Sequence, residues 1–288
     1  MNIFSVTKLI AVSSVIALTA ILFFPFTSPS SAYARESEPV AFEFSAEEGV
    51  FFVGEELIYN VSYSVFDLGS VKVQVTDTIT KMGTTIYRAK AYINSYDGVP
   101  FVDLHQVFYS EVTPQPYSLY FTAYNTAKPN EMEYSQYSFD YKNDIVHCER
   151  GVKPKNIIAQ SGKVPIHEFQ QDGLSLFFYA RANVKEKKRV TVATFVNENS
   201  FTTSFNFLNK IGSQEISAVK YPIETVEFDG NADFIGIFGM TGYFQGFFSN
   251  DEAAVPIVAK MKVLIGSIHI ELVKWNRPGW VPPKSKND

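Results

Sequence analysis

Residues 257–272 read Ile257-Val258-Ala259-Lys260-Met261-Lys262-Val263-Leu264-Ile265-Gly266-Ser267-Ile268-His269-Ile270-Glu271-Leu272. Ile257, Ala259, Met261, Val263 and Ile265 recur at every second position, and Ile268, Ile270 and Leu272 resume that rhythm. Period two is the signature of a half-buried strand. A glycine followed by one residue between two such runs predicts a two-residue type II′ hairpin turn at Gly266-Ser267, because glycine supplies the positive φ at the first turn position.

The same rhythm extends outward. Leu57, Tyr59, Val61, Tyr63 and Val65 alternate with polar neighbours, Val71, Val73 and Val75 follow a turn at Leu68-Gly69, and Met82-Gly83 precedes a partner strand over Thr84–Ile93. Further strands are expected over Leu119–Ala127, Glu131–Tyr141, Ile145–Arg150, Val190–Val196 and Phe201–Leu208, the last two joined by a turn at Asn197-Glu198-Asn199. In the second of these, Met132 and Tyr134 are even while Tyr137, Phe139 and Tyr141 are odd, which predicts a β-bulge near Ser135-Gln136. One segment departs from the pattern. After Asp172, the residues Leu174, Phe177, Phe178 and Arg181 share a helical face, with Asp172 as N-cap toward Ser175 N–H and Asn183 as the stop. The fold class read from this is all-β: a single antiparallel β-barrel-like or half-barrel domain over residues 50–275 with one or two short helices, then a C-terminal tail, 276–288.

Residues 1–34 carry Lys8, an apolar run from Leu9 to Phe26, a Ser/Pro-rich stretch and Ala32-Tyr33-Ala34. This is the layout of a cleaved secretory signal. An uncleaved anchor is the competing reading, disfavoured by Pro25, Pro29 and the A-x-A site. Residues 35–49 are acidic and polar and are expected to form a flexible mature N-terminus. The chain of 288 residues has a net charge of −5, so nothing in its electrostatics favours nucleic acid as a partner. Aromatics reach 15%, with 26 Phe and 16 Tyr against 2 Trp, a load that suits pleated surfaces. The lone cysteine, Cys148, excludes an intrachain disulfide and reads as a small buried hydrophobe. Irregular strand lengths and the absence of a terminal aromatic strand argue against a membrane-spanning barrel.

Chemistry-bearing motifs are sparse. His105, His147, His167 and His269 lack zinc-ligand spacing, so no metal and no other cofactor is expected. Ser175 does not sit in a nucleophile elbow. Gly236, Gly239, Gly242 and Gly246 fit neither the Rossmann nor the P-loop fingerprint. The apolar segment Phe234–Phe248 containing them must be buried or must cover something apolar; the sharper expectation is a lid across the open end of the sheet. Asn60-Val61-Ser62 matches a glycosylation acceptor but lies inside a strand.

Three separated motifs resemble one family. Gly54-Glu55-Glu56-Leu57-Ile58-Tyr59 with Gly69 resembles the opening G-E-x-L-x-Y strand of Domain of Unknown Function 3108. Asp172–Arg181 resembles its D-x-x-S-x-x-x-x-x-R helix, and Gly242–Phe248 with Asp251, Val255-Pro256-Ile257 and Gly266-Ser267 its closing pattern. Ala253 and Ala254 stand where that pattern has a basic residue. The resemblance implies an exported, β-rich bacterial envelope protein without assigned activity and supplies no catalytic residues.

The expected function is non-enzymatic binding, in the periplasm or cell envelope, of an apolar or amphipathic envelope molecule such as a lipid or lipid-linked saccharide. Tyr179, Arg181, Phe238, Phe244, Phe248 and Asp251 are the candidate ligand-binding residues; no catalytic residue is assigned. Two alternatives stay open: an assembly or structural factor whose partner is another envelope protein, and an envelope-polymer hydrolase using Asp172 and Asp251. Peripheral membrane contact fits the first reading, and secretion or membrane association are alternatives to the periplasm. Sequencing the mature N-terminus checks the export reading: the chain isolated from cells should begin at Arg35, and a product that retains the apolar run overturns it.

Overall fold

The computed structural model describes residues 49–99, 103–236, 241–262 and 266–286. Residues 1–34, read from the sequence as a signal, residues 35–48 and the candidate Phe238 lie outside these. The first eight strands are β1 (Glu56–Tyr63), β2 (Phe66–Lys81), β3 (Thr84–Ser95), β4 (His105–Val112), β5 (Ser118–Asn125), β6 (Met132–Asp140), β7 (Ile145–Lys153) and β8 (Ile157–Pro165). The two-residue β9 (Gln170–Gln171) leads into helix α1 (Ser175–Asn183). Then follow β10 (Lys188–Val196), β11 (Asn199–Gln214), β12 (Ile223–Ala232), β13 (Gly242–Ser249), β14 (Pro256–Lys262) and β15 (Ser267–Asn276). A single 3₁₀ turn, Pro129–Glu131, precedes β6. The all-β class, with one α-helix among the described residues, matches the expected all-β domain with one or two short helices.

All the strands form one sheet in the order β8-β7-β6-β5-β4-β3-β2-β1-β15-β14-β13-β12-β11-β10-β9. Neighbours are antiparallel except β9 and β10, which pair in parallel. The ladder does not close, since β8 and β9 are its two ends. Side chains close the roll instead. Phe195 of β10 packs its ring 5.0 Å from Tyr137 and 5.7 Å from Phe139 of β6, and Arg150 of β7 reaches Glu198 at 2.5 Å. On the opposite face of β10, Val190 and Val192 pack with Phe205 and Phe207 around the C-terminal half of α1. Ala193, Thr194 and Phe195 are therefore consecutive and all buried, which a strand achieves only with cover on both faces. The sheet is a scroll: its β10 end is tucked inside the curl of β5–β7.

Helix α1 fills the roll. Leu174, just before it, and Phe178 join Leu57, Val73, Val75, Ala89 and Leu272 in one apolar cluster. Ala180 and Val184 join Phe205, Phe207, Phe228 and Phe248 in a second. Val61 and Ile268 form a smaller cluster of their own, and Cys148 lies in a fourth, between Tyr137 and Val146.

Three local expectations are corrected. No register shift occurs in β6, whose pairing with β5 and β7 is continuous. Its apparent phase slip arises because both faces carry aromatics: Tyr137 and Phe139 face the core while Tyr134 lies on the outer face. The turn between β14 and β15 is not centred on Gly266-Ser267, because Ser267 already belongs to β15 and pairs with Lys262. The second half of Phe234–Phe248 is a central strand, β13, paired on both sides. Its glycine at 246 is required by close approach. A Cβ there would lie 2.3 Å from the Phe228 ring across the ladder, and a Cβ at Gly230 would lie 2.3 Å from the Phe244 ring. Each glycine lets an aromatic ring from the neighbouring strand lie flat over the backbone.

Gly246→Ala therefore overpacks the site. It should lower stability by about 1–3 kcal/mol in denaturant melts. Combining it with Phe228→Leu should cost less than the sum of the two single changes, and an additive result removes the ring contact as the cause.

Candidate functional site

The residues singled out for binding converge on helix α1 and the loop that joins β13 to β14. Asp172 stands ahead of the helix with no exposure to solvent. Its Oδ1 accepts the backbone N–H groups of Leu174 at 2.6 Å and Ser175 at 2.8 Å, so it caps the turn entering α1. Its Oδ2 accepts the hydroxyls of Ser110 on β4, at 2.6 Å, and Ser118 on β5. Ser175 in turn donates to Gln171 Oε1 at 2.7 Å, and Gln171 donates to the Pro116 carbonyl at 2.6 Å. Burial pushes the Asp172 carboxyl above its ordinary value, against the pull of these donors. A carboxylate this occupied and this enclosed is a structural clasp, with no oxygen turned toward a substrate.

At the other end of the helix, Arg181 is 2% exposed. Its guanidinium forms a fork on Glu55, at 2.6 and 2.9 Å, and also donates to the Ala253 carbonyl through Nε and Nη2. Arg277, immediately after β15, donates to the same Glu55 at 2.7 Å and to the Gly49 carbonyl at 3.0 Å. Burial alone would raise the Glu55 carboxyl; the charges and hydrogen bonds of the two guanidiniums outweigh it and hold it below its ordinary range. Planar, bidentate pairing of this kind is what makes a buried arginine tolerable.

Asp251 stabilises the β13–β14 loop. It accepts the Ser249 hydroxyl at 2.8 Å, the Ala254 N–H at 3.1 Å and the Trp280 indole N–H at 2.9 Å. Phe248 is buried, its ring 4.8 Å from Phe228. Tyr179 and Phe244 are half-buried, and both meet Phe205, at 5.5 and 5.6 Å. Tyr179, Phe244 and Phe248 thus share one aromatic sector, while Arg181 and Asp251 brace the loop beside it. Reading from the sequence missed Glu55, Arg277, Ser110 and Ser118. Glu55 stood inside a quoted motif, but nothing local marks a partner 126 residues away.

Among the described residues, no three His, Cys, Asp or Glu side chains gather as metal ligands, and no helix is long and apolar enough to cross a membrane. Cys148 is buried, its thiol pushed up to about 11 by burial.

The sequence profile of the protein family of unknown function DUF3108 matches residues 58–273. The chain belongs to this family. No curated protein matches it. Among solved structures, the DUF3108 chain is similar to a β-barrel-like protein of the DUF1849 domain from Brucella abortus. Identity is 12% and the TM-score 0.42, over 78% of this chain and 97% of that one. It is also similar to a Bacteroides fragilis protein inferred to be exported, with a YmcC-like fold, at 9% identity and TM-score 0.35, over 81% and 100% of the two chains.

The Glu55 cluster makes a signed prediction. A carboxyl held low in the fold adds stability above its ordinary value of 4.5, and that stability is lost as the pH falls through the depressed value. Asp172, held high, works in the opposite sense: its contribution is complete below 3.8 and shrinks as the pH rises through its folded value. Glu55→Gln should cost about 3–5 kcal/mol at neutral pH by stranding two guanidiniums. Its acid-side loss should also be shallower than that of the wild type. Urea melts at stepped pH read both effects, and an unchanged acid limb rules out Glu55 as its source.

Proposed function

We propose that this DUF3108 protein is an exported, non-enzymatic envelope β protein that binds an apolar or amphipathic molecule, a lipid or lipid-linked saccharide, at an aromatic rim. The observation that carries the reading is the apolar exposure where β11, β12 and β13 meet. Ile235 is 68% and Tyr243 45% exposed, at the end of these strands that also carries the Phe201–Phe234 ring pair at 6.0 Å. Large apolar side chains clustered at one end of neighbouring strands mark a contact site. Because α1 fills the interior, the molecule is held on the surface of the scroll and not within it. Phe248, Arg181 and Asp251 stand toward the opposite end of β13, where they hold the core and the β13–β14 loop, so the proposed contact does not use them.

A hydrolase reading gains no support, since the oxygens of Asp172 and Asp251 are engaged by protein donors. The assembly-factor reading is favoured by one observation: Ile157 and Ile158 at the start of β8 are 51% and 59% exposed. The compartment proposed is the periplasm, on the strength of the signal-like leader.

A bis-ANS titration tests the rim. Wild type should bind the dye saturably, and Ile235→Ser or Tyr243→Ser should weaken binding while changing stability by less than about 0.5 kcal/mol, as exposed positions do. Phe244→Ser should cost about 3–5 kcal/mol as well, because its ring packs on Phe205 and Phe228. Absence of saturable binding by wild type sinks the rim reading; loss of binding to Ile157→Ser alone moves the contact to β8.

A further inference from the structure

The outer face of β4–β8 carries a second feature, unrelated to the rim. Cross-strand partners share a face, and the register sets two polar rows across these strands. One row runs Tyr109, Thr122, Gln136, Glu149, Ser161; the next runs Glu111, Tyr120, Ser138, His147, Lys163. Over β6–β8 the two rows flank an open groove of about 360 Å³ lined by Gln136, Ser138, His147, Glu149, Ser161 and Lys163, within the volume range of small-molecule sites.

Its central groups are fixed in advance. Tyr120 donates its hydroxyl to Gln136 Oε1 at 2.7 Å, and Tyr134 donates to Glu149 Oε1 at 2.5 Å. The Tyr134 ring is buried beneath Lys153, whose amine lies 5.2 Å from its centroid. The hydrogen bond to Glu149, with burial behind it, pushes the Tyr134 phenol up to about 12, so the phenol stays protonated and donating. A held amide and a held carboxylate side by side are the parts of a preorganised polar site.

We propose that this groove binds a neutral oligosaccharide. Carboxylate, amide and hydroxyl groups at fixed positions suit a ligand rich in hydroxyl donors and acceptors. Glu149 opposes an anionic ligand at the centre, while Lys163 opposes a cationic one at the side. The lining offers no apolar pocket to anchor a peptide side chain. Tyr120 and Tyr124 stand beside the groove on the same face, aromatic side chains of the kind on which a sugar ring rests.

The test uses the purified protein with maltohexaose, cellohexaose and chitohexaose, followed by calorimetry and by amide chemical shifts. At least one should bind saturably, with a dissociation constant in the millimolar range or tighter, and shifts should concentrate on β6–β8. Glu149→Gln and Gln136→Ala should weaken binding roughly tenfold or more. Ser161→Tyr, at an exposed position that leaves the core alone, should block the groove and abolish binding without altering the thermal melt. Ile235→Ser should leave sugar binding intact, and Ser161→Tyr should leave dye binding at the rim intact, so the two sites fail separately. The proposal is overturned if no hexasaccharide saturates, if the groove variants bind like wild type, or if the shifts fall on β11–β13. It is equally overturned if concentration-dependent sedimentation shows the groove occupied by a second copy of the chain.

Discussion

One carboxylate shared between two guanidiniums organises this protein. Glu55 precedes the first strand, Arg181 lies near the end of the helix and Arg277 follows the last strand, so three distant points of the chain meet at one buried charge. The same arginine holds the Ala253 carbonyl, adding the β13–β14 loop. None of these groups is tolerable alone in an apolar interior, since an unpaired buried charge costs several kcal/mol. Together they make the middle of the sheet, where β1 pairs with β15, inseparable from the placement of α1. Asp172 does the corresponding work at the other end by joining the helix entrance to β4 and β5. The helix is thus fixed lengthwise within the roll by two carboxylates, with apolar contacts on both flanks.

This arrangement explains how a sheet with two free ends holds a rolled shape without a closing ladder. A barrel closes through backbone hydrogen bonds and can leave its lumen empty. Here closure depends on side chains: the Phe195 ring on β6, the Arg150–Glu198 pair, and the helix as a common filler. Filling and closure are the same event, so the surfaces left open are the rims and outer faces of the scroll. The chain needs no disulfide for this, since a domain of more than two hundred residues buries enough apolar area without one.

The sequence made some of this legible and hid the rest for identifiable reasons. Strands with one apolar face, such as Leu57-Tyr59-Val61, declare themselves by alternation, and Asp172 declares itself by position before an apolar helical stripe. Strand β6 misled because its outer Tyr134 mimics a core residue; hydrophobicity alone cannot say which of two aromatic faces is inside. The glycine at 266 suggested a turn at Gly266-Ser267, but Ser267 pairs with Lys262, so the turn precedes it in the chain. Arg181 on a buried stripe demanded a partner, but its identity is a matter of tertiary contact across 126 residues. Gln136 and Glu149 carried no signal at all. Their meaning arises only when register sets three hairpin-linked strands side by side.

Strand β8 brings these points together. It is exposed along almost its whole length on both faces, so it contributes little apolar burial to the scroll. A free, flat edge strand invites pairing with another chain, and natural proteins blunt such edges with charge, proline and irregularity. Here Lys163 and Pro165 stand within the strand, Gly162 weakens it, and a register shift near Arg150 and Gly151 breaks its ladder with β7. These features work against strand addition, which leaves the exposed Ile157 and Ile158 as a side-chain contact. They leave untouched the one thing β8 does supply, which is the wall of the polar groove at Ser161 and Lys163. A strand kept despite burying almost nothing, and guarded against self-pairing, is better understood by the surface it completes than by the core it barely touches.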